Sequence, residues 1–177
     1  HTSEPLAQVT DVYGFYIDRY EFPNRTRTKS GKPVSAVARA TSIEAAAACK
    51  KVGKRLCTEM EWEKACKGPY NFIYSYGDEF DLEMCGKGVT DPHVLGAKAN
   101  KDCVSGYSVA DMSGNLREWT STVPGTKTGR RVVKGGHRSN AERGSRCAFT
   151  KDERANYADT TLGFRCCLSL PDTPLSE

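Results

Sequence analysis

Eight cysteines constrain what this chain can fold into more than any other feature of its sequence; they stand at positions 49, 57, 66, 85, 103, 147, 166 and 167. An even set of this kind is typical of a disulfide framework outside the cytoplasm, whereas in the cytosol it suggests metal binding. The sequence has no C-x-x-C pair and only 3 histidines, so the usual ligand spacing of a zinc ribbon or finger is missing. We therefore expect disulfides.

Length and charge exclude several classes of protein. The 177 residues fit one domain, and 38% hydrophobic with 27% charged residues is a globular composition. The 26 Lys and Arg against 22 Asp and Glu give a net charge of +4 without a dense basic tract, which argues against a nucleic-acid partner. The longest apolar run, residues 45–49, is too short to span a membrane.

The disulfides imply a location outside the cytoplasm, whether secreted, periplasmic or associated with the cell envelope. The sequence starts at His1 without a charged and then apolar leader, which fits either a mature exported chain or a chain that has been shortened. We therefore expect an extracytoplasmic protein.

Two short helices are predicted from capping boxes. Thr41 is followed three residues later by Glu44, and an alanine-rich run then continues to a stop at Gly53. The same T-x-x-E pattern begins at Thr58, and Gly68 is placed to end that helix.

The strands are predicted to be short. Residues 12–21 alternate apolar and polar side chains, as an opening strand does, and residues 24–33 have the composition of a solvent-facing loop. After Gly68 the chain is glycine-rich and irregular, so its long loops need the disulfides to hold them. Short strands at 131–134 and 163–168 would close an antiparallel sheet.

Several segments resemble, in the same order, those of the formylglycine-generating enzyme (sulfatase-modifying factor) family. They are FYIDRYE at 15–21, GKRLCTEMEWEKAC at 53–66, DMSGNLREWT at 111–120, and KGG at 134–136 together with LGFRC at 162–166. The resemblance implies an α+β, disulfide-braced variant of the C-type lectin fold, with little regular structure, two helices and a small antiparallel sheet. It covers residues 11–170, which leaves residues 1–10 as an N-terminal extension and 171–177 as a C-terminal tail.

The resemblance does not extend to the catalytic cysteines. Enzymes of this family oxidise a cysteine of a sulfatase to formylglycine, using molecular oxygen and a Cu(I) ion that two cysteines hold between the GG pair and the x-R-C segment. Here residues 137–146 contain no cysteine. Cu(I) prefers two soft thiolates, and side chains such as His137, Asn140 and Glu142 are poor replacements. We therefore expect neither copper nor cysteine oxidase activity.

The resemblance also implies disulfide partners. In the family, the cysteine of the E-W-E-x-x-C helix, here Cys66, pairs with the one that aligns with Cys147. The cysteine of C-x-x-x-G-K-R-L, here Cys49, pairs with that of G-F-R-C, here Cys166. For the four remaining cysteines we expect the pairs Cys57–Cys167 and Cys85–Cys103, and the other pairings among these four stay open. Neighbouring strand residues point to opposite faces, so the two adjacent cysteines must bridge in different directions.

Calcium is a further implication of the resemblance. In the family, a G-N-x-x-E turn binds Ca²⁺ through backbone carbonyls and a carboxylate, and oxygen ligands suit this hard cation. The corresponding residues here are Ser113, Gly114, Asn115, Leu116 and Glu118. The alternative is that the asparagine and the glutamate only satisfy the amides of a turn.

Three functional hypotheses follow, and the first is preferred. It is an exported, non-catalytic binding or accessory module that recognises a protein or glycan partner through the loop region 137–161. Its candidate contact residues are His137, Arg138, Asn140, Glu142, Arg143 and Arg146. The second hypothesis is a metal- and oxygen-dependent oxidase of the formylglycine-generating type, or divergent from it, that acts on a protein or peptide substrate. The third is a structural component of a secreted or envelope complex.

The oxidase hypothesis needs other metal ligands, such as His137, Glu142 or Cys147. An iron site made by His93, His137 and Glu142 is the less favoured version, because it requires two histidines and one acid to converge.

Other conspicuous residues have simpler interpretations. Trp62 and Trp119 are predicted to be core residues rather than the walls of a ligand site. The basic run 128–134 is predicted to be an exposed face. An acidic loop is interpreted as solvated rather than as a second calcium site; it comprises Asp78, Glu79 and Asp81.

Overall fold

The computed structural model describes residues 12, 14–25, 27–32, 34–85, 102–136 and 141–171. The helices are α1 (Ser42–Lys51), α2 (Glu59–Lys67) and α3 (Ala141–Ser145), and residues 82–85 are also helical. The strands are β1 (Phe15–Ile17), β2 (Arg55–Leu56), β3 (Arg117–Trp119), β4 (Arg130–Lys134), β5 (Lys151–Arg154), β6 (Leu162–Phe164) and β7 (Cys166–Ser169). None of the helices in these ranges combines the length and the apolar character that crossing a bilayer requires.

The two predicted helices are confirmed together with their caps. Thr41 precedes α1 and Thr58 precedes α2, and each threonine exchanges hydrogen bonds with the glutamate three residues later. Gly68 ends α2 with a φ of 67°, and a Cβ there would come within 3.1 Å of the Gly106 nitrogen. Glycine is therefore needed both for the backbone conformation and for the close approach of the two segments.

The first sheet is antiparallel and has the order β1-β7-β2. Beyond its register, the Leu170 amide donates to the Gly14 carbonyl at 3.1 Å, so the sheet joins the beginning and the end of the domain. The predicted strand 12–21 is reduced to Phe15–Ile17. The chain turns soon afterwards because Asn24 Oδ1 accepts a hydrogen bond from the Tyr20 amide at 3.0 Å.

The second sheet has the order β5-β4-β3-β6, and its β3–β6 pair is parallel. The predicted strand 163–168 is divided at Arg165: β6 pairs with β3, whereas β7 pairs with β1 and β2. The strands expected at 131–134 and 163–168 therefore share a sheet only through β6, which lies next to β3, and parallel to it, rather than next to β4. The rest of the predicted strand, residues 166–168, belongs to the first sheet, so the expectation of one antiparallel sheet was only partly right.

All eight cysteines form disulfides. The bonds are Cys49–Cys166, Cys57–Cys167, Cys66–Cys147 and Cys85–Cys103. These are the pairs that the sequence analysis gave. The two adjacent cysteines at the start of β7 bridge in different directions, one to α1 and one to the residue after β2, so this strand is fixed to both.

Trp62 and Trp119 are core residues, as predicted, and each is 1% exposed. The basic run 128–134 is not an exposed face throughout. Lys134 is fully buried and its ammonium group donates to Glu63 of α2 at 2.9 Å and to Thr150 at 3.1 Å. A local charge pattern could not reveal these acidic and hydroxyl partners, because they come from distant parts of the chain.

Candidate functional site

The centre of the candidate site is a buried ion pair between Glu118 of β3 and Arg165. Arg165 Nη2 and Nε donate to the two carboxylate oxygens at 2.6 and 2.7 Å, and both side chains are fully buried. Its remaining donors reach the carbonyls of Asp18, Arg19 and Ala110 at 3.2, 3.3 and 3.0 Å. Burial opposes the guanidinium charge, but Glu118, together with the charges of Glu21 and Asp111, outweighs this effect and raises the pKa of Arg165. The arginine therefore stays charged inside the protein.

Two further carboxyl groups are buried beside this ion pair. Burial raises the pKa of Glu21 well above its usual range, and the charges of Glu118 and Asp111 add to the effect. Burial also raises the pKa of Asp111 to about 6, although Arg165 opposes the shift. Three acids thus share one guanidinium, and this cluster can take up protons in mildly acidic solution.

The turn between Asp111 and β3 is held by Glu21. Asn115 adopts a φ of 58°, and its side-chain Nδ2 donates a hydrogen bond to Glu21 Oε2. The backbone amide of Leu116 donates to Glu21 Oε1 at 3.1 Å. The side-chain oxygen of Asn115 is buried and accepts no hydrogen bond from the described part of the chain. A buried oxygen of this kind suits a cation or a water molecule.

The rest of the predicted calcium turn is packed against neighbouring segments. Ser113 Oγ accepts a hydrogen bond from the backbone amide of Ser75 at 2.9 Å. Gly114 is so close to Cys85 that a Cβ there would lie 2.6 Å from the Cys85 carbonyl oxygen. Glu118 already receives both bonds from its arginine and a third from the Trp62 indole nitrogen at 2.8 Å. Asn115 therefore fits the donor set of a calcium site, whereas Glu118 does not offer a free oxygen in this arrangement.

No group of three His, Cys, Asp or Glu residues in the described ranges has the geometry of a metal site, and this includes the acidic cluster around Glu118. In the acidic loop, the Asp78 carboxylate accepts a hydrogen bond from the backbone amide of Ile73 at 3.0 Å. The Asp81 carboxylate accepts one from the backbone amide of Glu83 at 2.8 Å. These carboxylates are exposed, as the solvated interpretation requires.

The predicted ligand-binding residues fall into two groups. His137, Arg138 and Asn140 lie outside the described residues, whereas Glu142, Arg143 and Arg146 lie within or next to α3.

Glu142 links α3 to the buried Tyr74. Glu142 Oε1 accepts a hydrogen bond from the Tyr74 hydroxyl at 2.7 Å and another from Arg146 Nη2 at 2.5 Å. Burial and then this carboxylate raise the pKa of Tyr74 to about 12, while Arg146 and Tyr74 lower the pKa of Glu142. The guanidinium carbon of Arg143 lies 5.8 Å from the centre of the Phe149 ring.

The cysteines leave no free thiol for a redox metal. Cys147, one of the alternative oxidase ligands, is bonded to Cys66. His93 and His137, which an iron site would need, lie outside the described residues.

Sequence reasoning missed most partners of Glu118. Glu21 and Arg165 join it from distant segments of the chain, whereas Asp111 lies in the same motif, residues 111–120. One local signal was available, since an arginine flanked by Phe164 and Cys166 inside an apolar strand pattern indicates a buried charge that needs a partner.

Comparison with known proteins supports one family. The family described as "Sulfatase-modifying factor enzyme 1-like domain" matches residues 21–170. The chain is 32% identical over 165 residues to "Formylglycine-generating enzyme" of Bos taurus, covering 73% of this chain and 43% of that protein. It is 33% identical over 134 residues to "Serine/threonine-protein kinase pkn1" of Chlamydia caviae, covering 65% of this chain and 21% of that protein. The chain thus spans less than half of either relative.

A solved structure extends the likeness to the fold. "Treponema denticola variable protein 1" superimposes with a TM-score of 0.59 at 16% identity, covering 88% of this chain and 84% of the other. At this identity the match indicates a shared fold, and the expected lectin-like, disulfide-braced α+β architecture is confirmed.

Proposed function

The chain belongs to the sulfatase-modifying factor enzyme 1-like domain family, and on that premise we propose that it is a binding or accessory module without copper-dependent cysteine oxidase activity. Its partner is a protein or a glycan, recognised through the region 137–161. Function in folds of this kind resides in the loops that the scaffold presents.

The observation that carries this proposal is the complete use of cysteine in disulfides. All eight cysteines are paired, and residues 137–146 contain none. Cu(I) prefers two soft thiolates in linear coordination, and this chain has no free thiol to supply them.

The test is a direct assay for cysteine oxidation. The protein is incubated with copper, oxygen and a Cys-x-Pro-x-Arg peptide, and the mass loss that accompanies aldehyde formation is followed, with the bovine formylglycine-generating enzyme as positive control. We expect no conversion and no titratable thiol in denaturant. Conversion of the peptide, or two reactive thiols, would support the oxidase alternative instead.

Partner recognition requires its own experiment. The described part of the region 137–161 carries the charged residues of α3 and β5. We expect saturable binding on a glycan array or a panel of extracellular proteins, and loss of that binding in Arg143→Glu. The matched control is Lys29→Glu, on an exposed loop. Blank results on both arrays would contradict the proposal.

An extracytoplasmic location is part of the same proposal. Four disulfides persist in oxidising compartments and are rare in the reducing cytosol. Fractionation of the source cells should therefore place the protein outside the cytoplasm, and a cytoplasmic pool with reduced cysteines would contradict this part of the proposal.

Calcium binding at the turn 113–118 is a separate proposal. It is supported by the buried side-chain oxygen of Asn115, which has no hydrogen-bond partner among the described residues. The other ligands would be backbone carbonyls of the turn. We expect CaCl₂ to raise the Tm and a chelator to reverse the shift, with MgCl₂ as the cation control. Asn115→Gly should abolish the shift and keep the positive φ, whereas the control Asn71→Gly, at a φ of 59° on the surface, should retain it. A Tm that is indifferent to both reagents would remove the assignment.

A further inference from the structure

The first strand of the domain has one unpaired edge. The bonds from Asp18 N to Cys166 O and from Leu170 N to Gly14 O, at 2.9 and 3.1 Å, join even-numbered residues to β7 and its continuation. In an antiparallel pair the bonded and non-bonded positions alternate, so the backbone groups of Phe15 and Ile17 point away from β7. In the described part of the chain, no other segment bonds to them.

This edge borders a cavity of about 720 Å³. We call it the β1 groove; its walls are residues 12, 14–17 and 19, Lys64 and Ala65 of α2, and the segment 107–109. The volume lies in the range of about 300–1,000 Å³ that ligand sites occupy. The Arg19 carbonyl is already occupied, because it accepts a hydrogen bond from the Ala110 amide at 2.9 Å. The stretch of β1 edge that can pair with another strand is therefore short and ends before Arg19.

The walls of the β1 groove combine apolar side chains with positive charge. Tyr16 and Tyr107 are 64% and 47% exposed. Lys64 and Arg19 are also exposed, and the Lys64 ammonium lies 5.7 Å from the centre of the Tyr107 ring. Neither cation forms an ion pair with any carboxylate in the described ranges, and none of the described lining residues is acidic. The groove therefore favours a ligand that is both apolar and anionic.

We propose that the β1 groove binds an extended acidic peptide segment of a partner protein, which adds as a strand beside β1. The backbone of Phe15 and Ile17 bonds to the peptide, apolar side chains of the peptide enter the cavity, and its carboxylates meet Lys64 and Arg19. A second copy of this chain is a poorer occupant, since it would bring the same two cations to the interface. The site uses none of the residues 137–161, so it extends the proposed function and can fail independently of it.

The test uses a labelled, capped peptide that alternates valine with glutamate, and fluorescence anisotropy as readout. We expect saturable binding that Lys64→Glu or Arg19→Glu weakens by about tenfold or more and that Lys29→Glu leaves unchanged. A peptide with lysine in place of glutamate should not bind. An N-methylated peptide should also lose binding, because it keeps the side chains but cannot pair with a strand edge.

Hydrogen exchange provides a second, residue-specific measurement. The amides of Phe15 and Ile17 should exchange more slowly when the acidic peptide is bound. Absence of saturable binding, binding that ignores Lys64→Glu, or equal binding of the N-methylated peptide would overturn the proposal. A dimer formed through β1, detected by sedimentation, would overturn it in favour of a second copy as occupant.

Discussion

Arg165 satisfies its hydrogen-bond donors with the Glu118 carboxylate and three backbone carbonyls, at a position with no exposure to solvent. Because Arg165 has no contact with solvent, its charge acts mainly to neutralise the buried Glu118 carboxylate. Lysine offers a point charge instead of a planar fork and would leave several of these groups unpaired.

Arg165→Met should therefore lower the free energy of unfolding by about 3–5 kcal/mol, because Glu118 would remain buried without its partner. Urea unfolding measures the loss, and Arg165→Lys provides a milder variant if the first does not fold. The control Arg154→Met, on an exposed position of β5, should change stability by less than about 0.5 kcal/mol. Similar losses in the two arginine-to-methionine variants would contradict a special role of Arg165.

Asp111 predicts how stability depends on pH. The folded protein raises its pKa from 3.8 to about 6, so the folded state binds the proton more tightly than the unfolded chain does. The stabilisation is complete below the unfolded pKa and is lost as the pH rises through about 6. At about 1.4 kcal/mol per pKa unit, ionising Asp111 costs the folded state about 3 kcal/mol.

Asp111→Asn should remove this part of the pH dependence and make the protein more stable than the wild type above about pH 6. Asparagine also tolerates the φ of 61° at this position. Urea unfolding between about pH 4 and 7 measures the wild type and the variant. The difference between the two curves reports Asp111 together with the effect of its charge on Glu21, and both have the same sign. A wild-type protein that gains stability relative to the variant as the pH rises would contradict the argument.

Among the elements, the two helices begin with the same capping box but use it in different environments. Glu44 of α1 is exposed and bonds only within its cap among the described contacts. Glu61 of α2 is nearly buried, and it also accepts hydrogen bonds from Arg55 of β2 at 2.7 and 2.5 Å. The second cap therefore fixes α2 to the first sheet.

Glu61→Ala should accordingly destabilise the protein more than Glu44→Ala, which removes a cap alone and costs about 1 kcal/mol. Thr58→Ala should resemble Glu44→Ala, because it leaves the contact between Glu61 and Arg55 in place. Chemical denaturation of the three variants gives the comparison. Equal losses for the two glutamate variants would show that the contact between α2 and β2 contributes nothing.

The elements also show what a sequence can reveal. The helices were predictable because a T-x-x-E cap and a terminal glycine are local signals. The division of residues 163–168 was not, because the partners of Arg165 lie 47 and 147 residues away. The parallel pairing of β3 with β6 is likewise a matter of tertiary contacts that strand propensity does not encode.

For the whole molecule, the disulfides close loops of very different length. Cys66–Cys147 spans 81 residues and Cys85–Cys103 spans 18. The loss of chain entropy on cross-linking grows with the logarithm of that length, which gives about 4.5 kcal/mol for the longer loop and about 3 for the shorter.

Replacing both cysteines of a pair by alanine should therefore cost about 1.3 kcal/mol more for Cys66 and Cys147 than for Cys85 and Cys103. Calorimetry or urea unfolding of the two double variants measures the difference. The reverse order would mean that contacts around the shorter bridge outweigh the entropy of the longer loop.

At the same scale, the candidate site was only partly predictable. The family resemblance directed attention to Glu118 and the turn before it, because those residues lie in one continuous motif. The cluster around Glu118 is assembled from segments that begin at Glu21 and end at Arg165. No short window contains both ends, so the competition of three acids for one arginine becomes visible only in the folded chain.

The hydrogen bond between Leu170 and Gly14 has a consequence for how this domain can be used. Because Gly14 and Leu170 lie side by side, the domain could be inserted into a larger polypeptide. The two flanking segments of that polypeptide would then lie about one strand spacing apart. Pulling on those flanks would load β1 against β7 directly, and the bridges at Cys166 and Cys167 would keep that load off the chain between Cys57 and Cys166.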